Sequence, residues 1–412
     1  MSSNPAVTLE AMVRRFKPYP AYKDSGVEWL GMIPAHWEVR RLKHVAPIRV
    51  TRLSERPDGV PYVGLEHIEP WTGRVSLDIQ PEGVDSVVGS FSAGDVLFGK
   101  LRPYLAKAAR PDFAGVCSSE VVVFAPSPSC TQGYLFYCFV SKPFVEWADS
   151  FTYGTKMPRV NPEQLGNSRV PLPPEPEQRA ITAFLDREIA RIDSLIAKKE
   201  RLLEVLQERR VALITHAVTK GLDPNAPMKD SGIQWLGDIP AHWSLAPVYS
   251  RYDVQLGKML DSKRNRGQFP GQYLRNVDVQ WDAINTKDLP QMDFSPFERE
   301  RYRLRPGDLL VCEGGEIGRT AIWRGEIEEC FYQKALHRLR PRSETEVPRF
   351  FYYLMYALAK GGVFAAGANP NTIDHLTAVQ LRHYRLPFPP TAEKRSIAAY
   401  LDEETGKIDS MV

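Results

Sequence analysis

The sequence predicts a mixed α/β (α+β) chain, in which two tandem domains form a pseudo-two-fold internal repeat and are joined through long helices. Three observations predict it. The 412 residues, 43% hydrophobic and 25% charged, have an ordinary globular composition but exceed one compact core, since domains run to roughly 100–200 residues. Two segments recur: KDSGVEWLGMIPAHWE at 23–38 returns as KDSGIQWLGDIPAHWS at 229–244, identical at 12 of 16 positions, and PLPPEPEQRAITAFLDREIARIDSLI from Pro171 returns as PFPPTAEKRSIAAYLDEETGKIDSMV from Pro387. From Pro176 to about Thr219, apolar residues recur at helical spacing.

Along the chain the elements follow. Residues 1–21 form an N-terminal segment without the basic start, apolar centre and small-residue cleavage site of a signal peptide, so a cytoplasmic protein is expected. The first domain, 22–175, contains VPYVGLEHI, GDVLFGKL and SEVVVFAP, short β-branched and aromatic runs punctuated by Gly, Pro and Asp. A helix at 133–151 should pack its aromatics on that sheet. The long helix of 176–221 carries Leu185, Ile192, Leu206 and Leu213 at sevens beside Ile189, Leu195, Ile196 and Leu202. At about 1.5 Å per residue it would span on the order of 60 Å, which suits a spacer with one apolar stripe in want of a partner. Gly221 and Asp223-Pro224 end it. The second domain, 222–391, repeats the plan with QYLRNVDVQ, GDLLVCEGG and KALHRLRP and a helix at 348–366. A shortened helix, 392–412, closes the chain; if the two long helices pair antiparallel, much of the first stripe lacks an intrachain partner and could receive another subunit or a second copy.

Between the matching ends the middles diverge in their polar residues, as two frames presenting different surfaces would. The net charge of +3 is too small to argue for a nucleic-acid partner by itself, so local clusters must carry that case. Lys100, Arg102, Lys107 and Arg110 lie with Tyr104 in a stretch free of acids, the combination that phosphate neutralisation and guanine recognition require. Lys156 and Arg159 in GTKMPRVNPEQL are further phosphate or base candidates. In the second half the comparable groups are Lys258, Lys263, Arg264 and Arg266, then Arg319 after the glycines of CEGGEIGR. Asn369, Asn371 and Thr372 could pair with adenine edges, although turn formation explains Asn equally well.

Catalytic patterns are thin. There is no Ser/His/Asp order, no HExxH, no glycine-rich dinucleotide fingerprint, and no N/D-P-P-Y/F sequence of the kind amino-methyltransferases use. Five scattered cysteines without a CxxC pair signal neither zinc nor a disulfide framework and read as buried thiols. His36 and His242 share identical AHW frames, which favours a structural role. A chain without catalytic or metal residues and without a membrane segment is expected, with a stand-alone DNA-modifying enzyme and a helical scaffold that reads no DNA as the competing interpretations.

The repeated frames, KDSGVEWLGMIPAHWEVRRLKHV and PLPPEPEQRAITAFLDREIARIDSLIAKKERLLEVLQERRVALITHAVTKGL with their second-half counterparts, resemble the specificity subunit of type I restriction-modification systems from about Tyr22 to Val412. The resemblance implies two target recognition domains, each reading half of a bipartite, asymmetric double-stranded DNA site, and two long antiparallel helices forming a coiled coil. It implies docking of two modification (methyltransferase) subunits, which carry S-adenosylmethionine, and of restriction subunits, which use ATP and Mg, with no cofactor on this chain. It places recognition on the loops around Lys100 to Arg110, Lys156 to Arg159, Tyr273, Arg275 and Asn276, Gly314 to Arg319, and Asn369 to Thr372. The shortened last helix departs from the pattern, leaving the N-terminal Ala6 to Phe16 or a second copy to supply the missing turns.

Overall fold

The computed structural model describes residues 17–54, 57–77, 87–260, 266–364 and 375–412. The chain divides into two compact units, one up to Leu195 and one from Ile196, and the division falls inside a helix of 46 residues, Glu175–Lys220.

In the first unit the KDSG frame makes a hairpin, Tyr22–Asp24 against Met32–Pro34, whose turn is closed by the Asp24 carboxylate accepting from the Gly26 N–H. Gly26 sits at φ +66°, a conformation a Cβ would penalise. Glu38–Arg41 then pairs with Arg169–Leu172, which brings the start and end of the domain together. Between them, Val121–Phe124, Val96–Gly99 and Ala108–Ala109 form an antiparallel sheet. Its strands are apolar on both faces because both are covered. Val96, Phe98, Val122 and Phe124 join Phe139 and Phe144 beneath the helices, while Leu97, Val121 and Val123 face a second core with Val63 and Cys117. That second core is roofed by a four-stranded sheet in which Tyr62–Val63 runs parallel to Gly115–Cys117.

The second unit reuses the scheme. Met228–Asp230 pairs with Asp238–Pro240, and Ser244–Pro247 with Arg385–Phe388. Its main sheet has the order Tyr252–Leu256, Leu336–Pro341, Leu309–Cys312, Thr320–Ile322. Leu309 and Val311 face the helix Pro348–Lys360, and Leu310 and Cys312 face the other core, the period-two alternation of a strand covered on both faces. Tyr273 again pairs in parallel, here with Phe331.

One element differs from the sequence expectation. Residues 133–151 form two helices, Gln132–Phe139 and Lys142–Ser150, because the Ser141 hydroxyl bonds back to the Cys138 carbonyl and Pro143 has no N–H to extend the first helix. The connector ends at Gly221, φ +80°, whose N–H reaches the Ala217 carbonyl. Within the second unit its last turns lie antiparallel to the closing helix, Thr391–Met411: Arg210 pairs with Asp409 at 2.7 Å, and Gly221 lies beside the Glu393 carboxylate at the helix's other end. Four of the five cysteines are buried, and Cys138 is half-buried. No described helix is long and apolar enough to cross a membrane.

Candidate nucleic-acid interface

Each unit ties its opening frame to a helix start through one carboxylate. The Glu177 carboxylate, in the first turn of the connector helix, accepts from Trp37 Nε1 at 3.1 Å and meets His36 Nε2 at 2.9 Å and the Tyr19 hydroxyl. Glu393 does the same with Trp243 at 3.0 Å and His242 at 2.8 Å. The AHW frame is therefore a clamp on a helix N-terminus, where negative charge is also favoured by the helix dipole. Burial pushes the Glu177 carboxyl up, but its hydrogen bonds to Tyr19, His36 and Trp37 outweigh this and hold it below the usual carboxylate range. The folded state thus binds the Glu177 proton less readily than the unfolded chain. The stabilisation from this clamp is complete above the ordinary glutamate range and disappears as pH falls through the lowered value. A Glu177→Gln variant should accordingly lose stability at neutral pH and show a flatter decline than the wild type in thermal melts run from pH 6 to 3.

The first unit brings two separated segments onto one surface. Arg102 N–H donates to the Pro158 carbonyl at 2.8 Å, Val160 N–H donates to the Lys100 carbonyl at 3.0 Å, and Leu101 bridges Arg159. The turn 100–105 is thereby fixed against the hairpin of Thr152–Tyr153 and Arg159–Val160. Arg102 is exposed at φ +53° and leads a 3₁₀ turn through Pro103, Tyr104 and Leu105. Among the described residues the side chains of Lys100, Arg102 and Lys156 meet no hydrogen-bonding or charged partner. Tyr104, Phe151, Tyr153 and Met157 are exposed around them, Tyr153 to 63%. Cations interleaved with aromatic and thioether groups suit a polyanion with stacked, partly apolar edges. Phe151, Tyr153 and Met157 escape sequence reasoning; the available signal is an aromatic and a methionine flanking glycine in an otherwise polar turn.

Other candidates are engaged internally. Lys107 Nζ donates to the Leu65 carbonyl, and burial lowers its pKa. Arg159 pairs with Glu120 at 3.0 Å, and Arg110 with Asp186 on the connector helix. In the second unit Lys258 binds Glu298 at 2.8 Å and lies over the Phe294 ring, so it ties a helix to the sheet. Arg275 is held by Asp278 at 2.8 Å, and Arg319 donates to the Asn276 backbone and side-chain oxygens, both at 2.9 Å, while Asn276 Nδ2 secures the Gly314 carbonyl at 2.7 Å. Asn276 and Arg319 thus shape the glycine turn, while Arg275, its side chain 40% exposed, is braced within its own 3₁₀ turn. Tyr273 is buried with Met292, Phe294 and Phe331, which corrects its placement on a recognition surface: the parallel pairing to Phe331 turns its ring into the core. Arg266 is exposed, its loop capped by the Asp293 carboxylate. Beside it the exposed Met259, Leu260, Phe269 and Lys334 were missed by the sequence reading. Lys263, Arg264, Asn369, Asn371 and Thr372, like Ala6 to Phe16, lie outside the described residues.

On the connector helix Leu206 is buried and Leu185 and Leu213 are half-buried, whereas Ile189, Ile192, Leu195, Ile196 and Leu202 are exposed. A run of large aliphatics open to solvent is a feature of docking surfaces. Among the described residues no cluster of His, Cys, Asp and Glu could hold a metal ion.

This geometry agrees with the comparisons to known proteins. The family model of the type I restriction modification DNA specificity domain matches residues 34–205 and 255–411. The chain is 30% identical over 185 residues to the type I restriction enzyme EcoDI specificity subunit of Escherichia coli, a match covering 43% of this chain and only 41% of that relative. It is 26% identical over 410 residues to the MjaVIII specificity subunit of Methanocaldococcus jannaschii, covering 92% of this chain and 88% of the relative. Its fold is that of a structure described under the assembly and conformational transition of the type I R-M system, with a TM-score of 0.69 at 21% identity and 92% coverage of both chains. The HsdS subunit of Thermoanaerobacter tengcongensis superposes with a TM-score of 0.56 at 20% identity, over 92% of this chain and 91% of that one. With the family model matched over most of its length, once in each unit, this chain belongs to the type I restriction-modification specificity subunits and carries two DNA-recognition domains in tandem.

Proposed function

We propose that this chain reads a bipartite, asymmetric duplex DNA site, one half-site per unit, and presents it to modification and restriction subunits docked on its helices. It performs no catalysis; S-adenosylmethionine, ATP and Mg belong to those partners, and the assembly works in the cytoplasm. One observation carries the asymmetry. The strands Val96–Gly99 and Leu309–Cys312 hold equivalent places in their sheets, yet the residue that follows is Lys100 in one and Glu313 in the other. Lysine suits phosphate or guanine acceptors, and a carboxylate suits the amino groups of cytosine or adenine, so equal scaffolds offer unlike chemistry to the two half-sites. The exposed stripe from Ile189 to Leu202 supports docking of helical partners.

The test is co-expression with the modification subunit in a host lacking DNA methylation, followed by mapping of methyladenine. A split motif with two different halves is expected. A palindromic motif would remove the asymmetry, and a soluble complex that methylates nothing would leave a scaffold that does not read DNA.

A further inference from the structure

Arg110 and Arg349 occupy unrelated positions in the repeat yet deliver a guanidinium to the same place. In the first unit Arg110, from the end of the strand Ala108–Ala109, lies 5.2 Å and 5.4 Å from the rings of Phe136 and Tyr137 and pairs with Asp186, which also accepts from the Tyr137 hydroxyl at 2.6 Å. In the second unit Arg349, from the first turn of the helix Pro348–Lys360, lies 4.8 Å from both Tyr352 and Tyr353. It pairs with Asp402 at 2.6 Å, and Asp402 accepts from the Tyr353 hydroxyl at 2.7 Å. The spacing that separates Pro171 from Pro387 also separates Tyr137 from Tyr353, Asp186 from Asp402, and Gly133 from Arg349.

Arg349 therefore has a glycine as its counterpart, and the reason is spatial. A Cβ on Gly133 would lie 2.9 Å from Arg110 Nη1 and 2.4 Å from Thr182 Cγ2, so the room that a side chain at 133 would need is taken by Arg110 and Thr182. The counterpart of Thr182 at the same spacing is Ala398, which leaves space for Arg349. One clasp of guanidinium, aromatic pair and aspartate has thus been built by two routes. Cation–π stacking and a charge-assisted hydrogen bond fix both the place and the orientation of the group.

We infer that Arg110 and Arg349 are positioning residues for DNA reading: Arg110 locks its sheet and aromatic helix onto the connector helix, Arg349 locks its aromatic helix onto the closing helix and the turn at Asp282, and neither touches DNA. The inference rests on the reading that the first unit binds DNA, and it removes Arg110 from the contact surface. Sheet and helix are held at one angle by the clasp, so the loops at the far edge of the sheet arrive at the duplex preformed instead of being ordered on binding.

The test uses the full chain and a random-sequence duplex pool enriched by the wild type. Arg110→Ala should bind that pool about tenfold more weakly, within the range of energetic coupling between sites, with the salt slope unchanged. The transplant Arg110→Ala/Gly133→Arg/Thr182→Ala, which installs the second unit's version, should restore affinity. A salt slope reduced by about one in Arg110→Ala, with no rescue by the transplant, would make Arg110 a phosphate contact and overturn the inference. Wild-type binding by Arg110→Ala would overturn it equally. Failure of the wild type to enrich any duplex would defeat the DNA-reading function instead. The clasp is then judged by a double-mutant cycle of Arg110→Ala and Asp186→Ala in thermal unfolding, where strict additivity denies it.

Discussion

Replacing Glu346 by cysteine is expected to destabilise the second unit by roughly 3–5 kcal/mol, the cost of leaving a buried charge without its partner. Lys394, in the first turn of the closing helix, is 2% exposed, and its ammonium donates to Glu346 Oε2 at 2.6 Å. Its other contacts, the Thr345 carbonyl at 3.2 Å and the Phe388 ring at 5.5 Å, cannot replace a carboxylate at that depth. The first unit solves the same position without charge. Gln178 and Cys130 stand where the repeat places Lys394 and Glu346, and the buried Gln178 amide is fully bonded: it donates to Ser129 and Pro173 carbonyls at 2.8 Å and 2.9 Å and accepts from the Thr131 N–H at 2.8 Å. Adding Lys394→Gln to Glu346→Cys should therefore recover most of the loss, since the pair then matches a neutral solution the same fold already uses. Urea unfolding of the two variants measures it. A single variant within about 1 kcal/mol of the wild type would mean that water reaches Lys394 on a small rearrangement, a burial cost the static packing does not reveal.

The contrast between the two units also explains what the sequence made legible. The tandem repeat, the long connector helix and the strands at 96–99, 121–124, 309–312 and 336–341 follow from identity between segments and from local apolar patterning, both visible in one dimension. The Glu177 and Glu393 clamps were not read, because each joins residues about 140 or 150 positions apart and the carboxylate looks like any helix-start acid. A signal was present: the His-Trp pair and the helix-start Glu recur at matching places in the two repeated frames, and no local role accounts for the three together. The site was harder. A cluster of cations in sequence does not say which of them the fold neutralises, and only the tertiary pairings with Asp186, Glu120 and Glu298 separate Arg110, Arg159 and Lys258 from Arg102. Tyr273 shows the same limit in the other direction: the resemblance places it in a recognition loop, and strand pairing turns it inward.

The Arg102 and Lys100 side chains project from one turn with no internal partner among the described residues, and the double reversal Lys100→Glu/Arg102→Glu is expected to weaken duplex binding by at least about a hundredfold at moderate salt and to reduce the salt slope by about two. Arg102 holds a left-handed backbone, φ +53° and ψ +63°, which costs a residue with a Cβ about 1–3 kcal/mol. Glycine would relieve that cost, yet the position carries a guanidinium, and the Pro158 carbonyl and the turn beginning at Pro103 hold it outward. Arg102→Gly is then the informative companion: it accepts the left-handed backbone without strain and removes the whole guanidinium side chain. A uniform loss across sequences would assign Arg102 to phosphate, whereas a changed base preference at one position would assign it to a guanine edge, worth about 1–3 kcal/mol of discrimination. Unchanged affinity and slope in the double reversal would shift reading in this unit to Lys156 and the exposed Tyr153 and Met157 across the hairpin. The same substitution logic inverts in the second unit, where Glu313 follows the equivalent strand: a lysine there should strengthen non-specific binding while erasing preference for a base that offers an amino group.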